Sequence, residues 1–249
     1  MNKKILITGA TKGLGKEAAI FFASKGYSLI LAGRCEKKLS RLIAGLKNKK
    51  KHISLLLDLQ DIKQIENLKI DKRFLNLHCI LHCAGGGLGI KNVNPKSHEF
   101  TKVLNVNALS LIQINNKLFQ ILKKNRGTIV HVGSIASYEA VGSLAYNCAK
   151  ALLAAYVRTA GREMIKKRII ITGILPGGFI GHNNAMSRLK KNNKKAYNEF
   201  INKRLPAQKM FKTSDLMPMI EMMCLKKLYM LAGNLVSMDA GEGKTYSLI

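Results

Sequence analysis

Short apolar runs recur along the chain at Ile5–Thr8, Ser28–Ala32, Ile53–Leu57, Cys79–Cys83, Thr128–Val132, Ile169–Ile174 and Leu235–Met238. Several are apolar throughout rather than alternating, the pattern of strands covered on both faces. Between them Lys12–Lys25, Glu36–Asn48, Ser97–Lys124, Ser143–Lys167 and Asp215–Leu225 carry helix-compatible spacing. Strand and helix alternate, which predicts an α/β fold with a doubly wound parallel sheet and helices on both faces. No internal repeat or linker-like composition shift interrupts the pattern, and 249 residues suit a single domain spanning 1–249. The stretch Phe100–Leu122 is apolar nearly all round its surface, which a helix facing water should not be. A second copy of the chain is the natural cover, so a homo-oligomer, dimer or tetramer, is expected.

Composition narrows the classes. With 47% apolar residues and a mean hydropathy of +0.01, burial can offset chain entropy over most of the length, which excludes a disordered basic protein. No apolar run approaches the roughly 18 residues that span a bilayer. The start M-N-K-K-I-L-I-T-G has a basic opening, but its apolar stretch ends after Ile7. Neither export nor a membrane partner is expected. Five cysteines, odd in number and scattered, suit reduced thiols in a cytoplasm. Lys and Arg total 42 against 14 acids, a net charge of +28, so an anionic partner must be weighed. The cations run from Lys3 to Lys244 rather than in one block, and tryptophan is absent, which favours a generally lysine-rich composition over a nucleic-acid partner.

After the first run comes Thr8-Gly9-Ala10-Thr11-Lys12-Gly13-Leu14-Gly15, opening a helix. Glycines there allow a tight turn and close approach of a pyrophosphate at the helix N-terminus. The spacing is G-x-x-x-G-x-G, and glycine turns also serve as plain connections, so position directly after strand one is what gives it weight. The second strand ends Leu31-Ala32-Gly33-Arg34. An acid at that tip would bind a ribose 2′-hydroxyl, whereas Arg34 with Lys12 suits a 2′-phosphate, favouring NADP(H) over NAD(H).

Taken together, Gly9–Gly15, Asp58 after strand three, Cys83-Ala84-Gly85 after strand four, Asn105 in V-L-N-V-N, Ser134 in H-V-G-S-I, Tyr146-Asn-Cys-Ala-Lys150 and Leu175-Pro176-Gly177 resemble the short-chain dehydrogenase/reductase family over essentially the whole chain. The resemblance implies a Rossmann-type fold and hydride transfer between nicotinamide and a carbonyl or hydroxyl substrate. Tyr146 would be the acid or base, Lys150 one helical turn away would lower its pKa and hold the nicotinamide ribose, Ser134 would orient the carbonyl, and Asn105 would continue a proton relay. Cofactor contacts are implied at Gly9, Thr11, Lys12, Gly13, Leu14, Gly15, Arg34, Asp58, Leu59, Ala84, Gly85, Pro176 and Gly177, besides Tyr146 and Lys150. A substrate lid is implied near 178–212, where Lys190, Lys191, Lys194 and Lys195 either steer an anionic substrate or form a solvated helix face.

Two substrate classes follow: a sugar or nucleotide-sugar, to which the C-terminal D-A-G-E-G-K-T-Y-S of residues 239–247 adds a resemblance to surface-sugar enzymes, and a 3-oxoacyl thioester on acyl carrier protein. The rival of another class is a non-catalytic dinucleotide sensor or nucleic-acid-binding protein. The chain departs from the family at Cys83, where Asn is usual and helps tie the sheet centre, and after Pro-Gly, where no Thr reaches toward nicotinamide. His78, Cys79, His82 and Cys83 carry metal-ligand chemistry, but alternation on a strand sends 78 and 82 one way and 79 and 83 the other, so no metal is expected. Seven of the ten methionines fall between Met210 and Met238 and read as core filling.

Overall fold

A computed structural model describes residues 3–244. Its centre is a seven-stranded sheet, all strands parallel, in the order β3-β2-β1-β4-β5-β6-β9. These strands are β1 (Lys4–Thr8), β2 (Ser28–Gly33), β3 (Ile53–Leu56), β4 (Leu77–His82), β5 (Thr128–Val132), β6 (Ile170–Pro176) and β9 (Leu235–Met238). The crossover helices pack on both faces. On one side α1 (Gly13–Ser24), α2 (Glu36–Ala44) and α9 (Thr213–Leu225) cover a core that includes Ile5, Ile7, Leu29, Leu31, Leu81 and Phe22. On the other, α3 (Ile62–Glu66), α5 (Ser110–Asn125) and α6 (Leu144–Met164) cover Leu6, Ile30, Ile80, Leu118 and Val157. Neighbouring strand residues thus feed opposite cores, which is why the runs lack polar alternation.

The predicted helix 97–124 is three pieces: α4 (Ser97–Leu104), one π turn at Asn105–Leu109, and α5. Such a turn shifts side chains out of α phase and recurs at functional sites. The apolar girth of this stretch is largely met within the chain, because α3, β4 and α6 pack on it and none of its large side chains is among the exposed apolar residues. A second copy is therefore not required to cover it. Helix α2 stops at Ala44 rather than Asn48, since Gly45 follows and Asn48 is left-handed (φ 58°). Helix α9 starts two residues early, because the Asp215 carboxylate accepts the Lys212 amide at 2.7 Å and caps it.

Between β6 and α9 the chain leaves the sheet. Strands β7 (Phe179–Ile180) and β8 (Phe211–Lys212) pair parallel and frame an excursion holding α7 (Ala185–Asn192) and α8 (Lys194–Arg204). Met217 and Met223 are core, as the sequence suggests, but Met222 and Met230 are exposed, Met230 at 91%. His82 faces α5 while Cys79 joins the α1–α9 core, so the cysteines and histidines of β4 do diverge. Among the described residues no helix is long and apolar enough to cross a membrane.

Candidate active site

All strands point the same way, so their C-terminal ends open on one edge, and there two adjoining cavities of about 340 and 270 Å3 form one crevice. They share Gly9, Lys12, Ala84, Gly85 and Asn183. The glycine turn makes the floor. Gly9 is left-handed (φ 66°), and a Cβ on it would lie 2.8 Å from the Ala84 Cα, while one on Gly15 would lie 2.4 Å from the Gly9 oxygen. Only glycine lets the turn pass this close to the next strand. The Leu14 and Gly15 amides fall in the first turn of α1, where the helix itself supplies no acceptor.

The smaller cavity is lined by Arg34, Lys38, Lys12 and Thr11, with Asp58 and Leu59 across from them. Burial lowers the Lys12 pKa first, and the charges of Arg188, Arg34 and Lys38 lower it further, a crowd of cations that suits an anion. Asp58 accepts the Gln60 amide at 3.0 Å and so shapes its own turn. A dinucleotide fits these groups: the close glycine floor admits a pyrophosphate, and the cations at the β2 tip admit a further phosphate.

The larger cavity gathers Ser134, Tyr146 and Lys150 with Gly85, Pro176 and Gly177. Lys150, 2% exposed, donates from Nζ to the Val132 carbonyl at 2.9 Å and sits 5.7 Å from the Tyr146 ring centroid. Burial lowers its pKa to about 8. The expected depression of Tyr146 by this ammonium is not what the structure gives: burial raises the phenol, and the Ser134 hydroxyl, hydrogen-bonded to it, pulls the other way. Ser134 also accepts the Ala136 amide at 3.1 Å, fixing its rotamer.

Asn105 does not join them. It is buried, but its amide reaches the Gln60 carbonyl at 3.4 Å and it lines neither cavity. Asn107, which likewise lines neither cavity, lies nearer: it accepts the Gly86 amide at 2.9 Å and donates to the Gly86 and Val103 carbonyls at 3.0 and 2.8 Å. A Cβ on Gly85 would meet Asn107 Oδ1 at 2.8 Å and Lys150 Nζ at 3.3 Å, so the asparagine and the lysine flank one glycine. The signal was present in the sequence, because Asn107 lies in phase with buried Val103 and Leu111 whereas Asn105 does not.

Lys38 lines the smaller cavity with no sequence signal to mark it, and within the implied lid segment near 178–212 the residues that line the crevice include Asn183, Asn184, Met186 and Arg188. The turn before α7 leans on the glycine loop, the Gly13 amide donating to the His182 carbonyl at 2.7 Å. Glu242 also went unmarked. Its buried carboxylate accepts the Gly178 amide and pairs with Arg204 of α8 at 2.8 Å, so one side chain ties the Pro-Gly segment to the excursion. Residues 245–247 of the C-terminal resemblance lie outside the described residues. The asparagine missing at Cys83 has a substitute: Thr8 Oγ1 accepts the Ala84 amide at 3.4 Å and lies 3.3 Å from His82 Nδ1, opening a buried network to Asn115, His131 and Tyr156.

Comparison with known proteins agrees with this geometry. The short chain dehydrogenase family profile matches residues 3–192. The chain is 32% identical over 183 residues, 70% of its length and 71% of the relative's, to an NADP-dependent 3-hydroxy acid dehydrogenase of Schizosaccharomyces pombe. An NADPH-dependent 1-acyldihydroxyacetone phosphate reductase of the same yeast is 30% identical over 71% of this chain, a match spanning only 60% of that protein. Among solved structures, ElxO with NADP bound superposes with a TM-score of 0.85 at 24% identity, covering 97% of this chain and 99% of that one, which bears on the fold. A short-chain dehydrogenase/reductase of Caenorhabditis elegans with cofactor gives 0.83 at 25% identity, over 97% and 95% of the two chains. The chain belongs to the short chain dehydrogenase family and is an oxidoreductase of that type.

Proposed function

We propose that the chain is an NADP(H)-dependent carbonyl reductase whose acid is Tyr146. The observation that carries the reading is the continuity of one crevice, with Tyr146, Ser134 and Lys150 at one end and Arg34, Lys38 and Lys12, with no acid at the β2 tip, at the other. A nicotinamide dinucleotide, when bound, supplies the hydride. Ser134 then holds the substrate oxygen and, through its hydrogen bond to Tyr146, pulls the buried phenol back down as it gives its proton to the growing negative charge, while Lys150, cationic below about pH 8, would hold the nicotinamide ribose. Asn107, rather than Asn105, is the asparagine placed to pass a proton on from Lys150. The segment 178–212 acts as the lid, fastened at its base by Glu242 and Arg204.

The substrate we favour is a carbonyl compound carrying an anion, with a 3-oxoacyl thioester ahead of a nucleotide-sugar. Support comes from the exposed or half-exposed Arg188, Lys190 and Lys191 on α7, and from relatives whose names specify acyl, hydroxy-acid or phosphate substrates, among them a 3-oxoacyl-[acyl-carrier-protein] reductase of Bos taurus at 26% identity. The test is NADPH consumption across a panel of 3-oxoacyl thioesters, acyl-dihydroxyacetone phosphate and nucleotide-linked ketosugars. Turnover is expected on the acyl members, and turnover confined to the ketosugars overturns the preference. Cofactor choice is read separately by titrating NADPH and NADH: Arg34→Ala is expected to weaken NADPH by at least about tenfold and leave NADH unmoved.

A further inference from the structure

The edge of the sheet opposite the crevice, where helices hand over to strands, has a charge pattern of its own. Parallel topology forces every helix-to-strand connection onto this edge. The connection after α2 carries Lys47 and Lys49–Lys51, the last turn of α5 and the residue after it Lys123, Lys124 and Arg126, the connection after α6 Lys166–Arg168, and that after α9 Lys226 and Lys227, all exposed. Side-chain contacts to backbone carbonyls tie the connections after α3, α5 and α9 together. Lys4 Nζ donates to the Arg73 carbonyl at 2.6 Å, Asn125 donates to the Leu75 and Leu77 carbonyls at 2.9 and 2.8 Å, and Lys227 donates to the Arg126 carbonyl.

Acids do not balance this edge. Asp71, Glu163 and Glu221 are each engaged by a neighbouring cation, Arg73 at 2.8 Å, Lys166 at 2.9 Å and Lys25 at 3.2 Å. Glu66, exposed at the C-terminal end of α3, is a fourth acid at this edge, whereas Glu36, Asp58, Asp61, Glu99 and Asp215 stand in strand-to-helix loops or first helical turns at the crevice edge, and Asp239 follows β9 there. The helix dipole favours a cation in the last turn, but two runs of three, Lys49–Lys51 and Lys166–Arg168, lie past it in the connections, so the dipole does not account for them. Apolar side chains stand among these cations: Ile70 is 36% exposed, Tyr229 46%, Leu75 55% and Met230 91%.

We propose that this edge is a docking face for an anionic lipid bilayer, holding the crevice toward the aqueous side. Seven strands set about 4.8 Å apart make a front roughly 30 Å wide, enough for many headgroups at once. Lysines beside protruding apolar side chains are the pairing that suits an interface with charged headgroups above acyl chains. Duplex or single-stranded nucleic acid fits less well, since Tyr229 is the one exposed aromatic side chain on this edge among the described residues and stacking platforms need several. The inference does not depend on the proposed substrate.

The experiment is co-sedimentation of the full chain with vesicles of phosphatidylcholine alone or with about one-third phosphatidylserine, at low and high salt. Each cation near an anionic surface multiplies partitioning by about five, within a screening length of about 8 Å at physiological salt. Wild type should pellet with the anionic vesicles, at least about tenfold less with the neutral ones, and be released by salt. K124E/K167E should lose at least about tenfold in partitioning and M230S a few-fold, while both bind NADPH as wild type does. K190E/K191E, the same charge change placed on α7, should pellet as wild type. Equal loss in K190E/K191E, equal pelleting with both vesicle types, or tighter binding to duplex DNA than to anionic vesicles at the same salt overturns the proposal.

Discussion

Helix α6 presents two tyrosines ten residues apart, each in a cluster of polar groups under the sheet. Tyr146 lies with Ser134 and Lys150 on the wall of the crevice. Tyr156 accepts the Asn115 amide at 3.1 Å, and Asn115 donates again to His131 Nε2 at 3.2 Å and lies 2.9 Å from His82 Nε2. The two histidine rings stack at 4.6 Å. Burial raises both phenols, and in each case a hydrogen bond lowers them. Chemistry alone therefore does not tell the clusters apart. What differs is that the first opens on space a substrate can enter, while His82 and His131 are wholly buried and touch only protein. A network closed off by protein on every side fixes a fold, and one with a side open to a cavity can act on a ligand.

Breaking the open cluster should give the largest effect. Tyr146→Phe removes the proton donor and is expected to lower kcat/KM by about a thousandfold, with NADPH affinity by fluorescence titration within about twofold of wild type. Normal turnover in that variant would sink the catalytic assignment. Next comes Asn115→Ala, which strands His82, His131 and Tyr156 at once. It is expected to cost about 3 kcal/mol in urea unfolding and to leave kcat nearly unchanged. If activity fell in step with that of Tyr146→Phe, the two clusters would not be separate devices.

Much of this was legible before the fold was known, and the failures have physical causes. Strand runs were readable because a doubly covered sheet admits few polar residues, so Leu29–Ala32 and Ile170–Leu175 could hardly be anything else. The Tyr146–Lys150 pair was readable because i and i+4 share a helix face. Asn107 was legible in part, because spacing of four from buried Val103 and Leu111 marks it, but the π turn at Asn105–Leu109 that sets both asparagines has no local residue preference to announce it. Glu242 and Arg188 reach the site from distant segments whose approach is fixed by tertiary packing. The charge asymmetry between the two sheet edges was hidden for a similar reason: cations spread along the sequence become one face only after the connections are stacked side by side.

The sealed cluster should also set the acid limit of stability. Burial holds His82 at about 4 and His131 well below the usual histidine range, so both are neutral in the fold and titrate near 6.5 once unfolded. Between pH 6.5 and about 4 the unfolded chain binds more protons, and stability should fall with pH by up to about 1.4 kcal/mol per unit for each histidine. Lys150 acts in the opposite range. Its folded pKa of about 8 lies below the free value of 10.5, so its burial costs stability at low pH and that cost fades as pH rises through the window between the two.

The smallest effect is the sharpest test of separation. His131 adjoins the lysine's surroundings, and the Lys150 charge helps depress it, yet a neutral ring returns little to the lysine. His131→Phe removes a ring whose Nδ1 has no partner. It should halve the acid slope of unfolding and shift the basic limb of kcat/KM, expected near pH 8, by less than about 0.3 unit. A shift of a full unit would mean that the sealed histidines tune the lysine, joining into one network what the packing otherwise keeps as two.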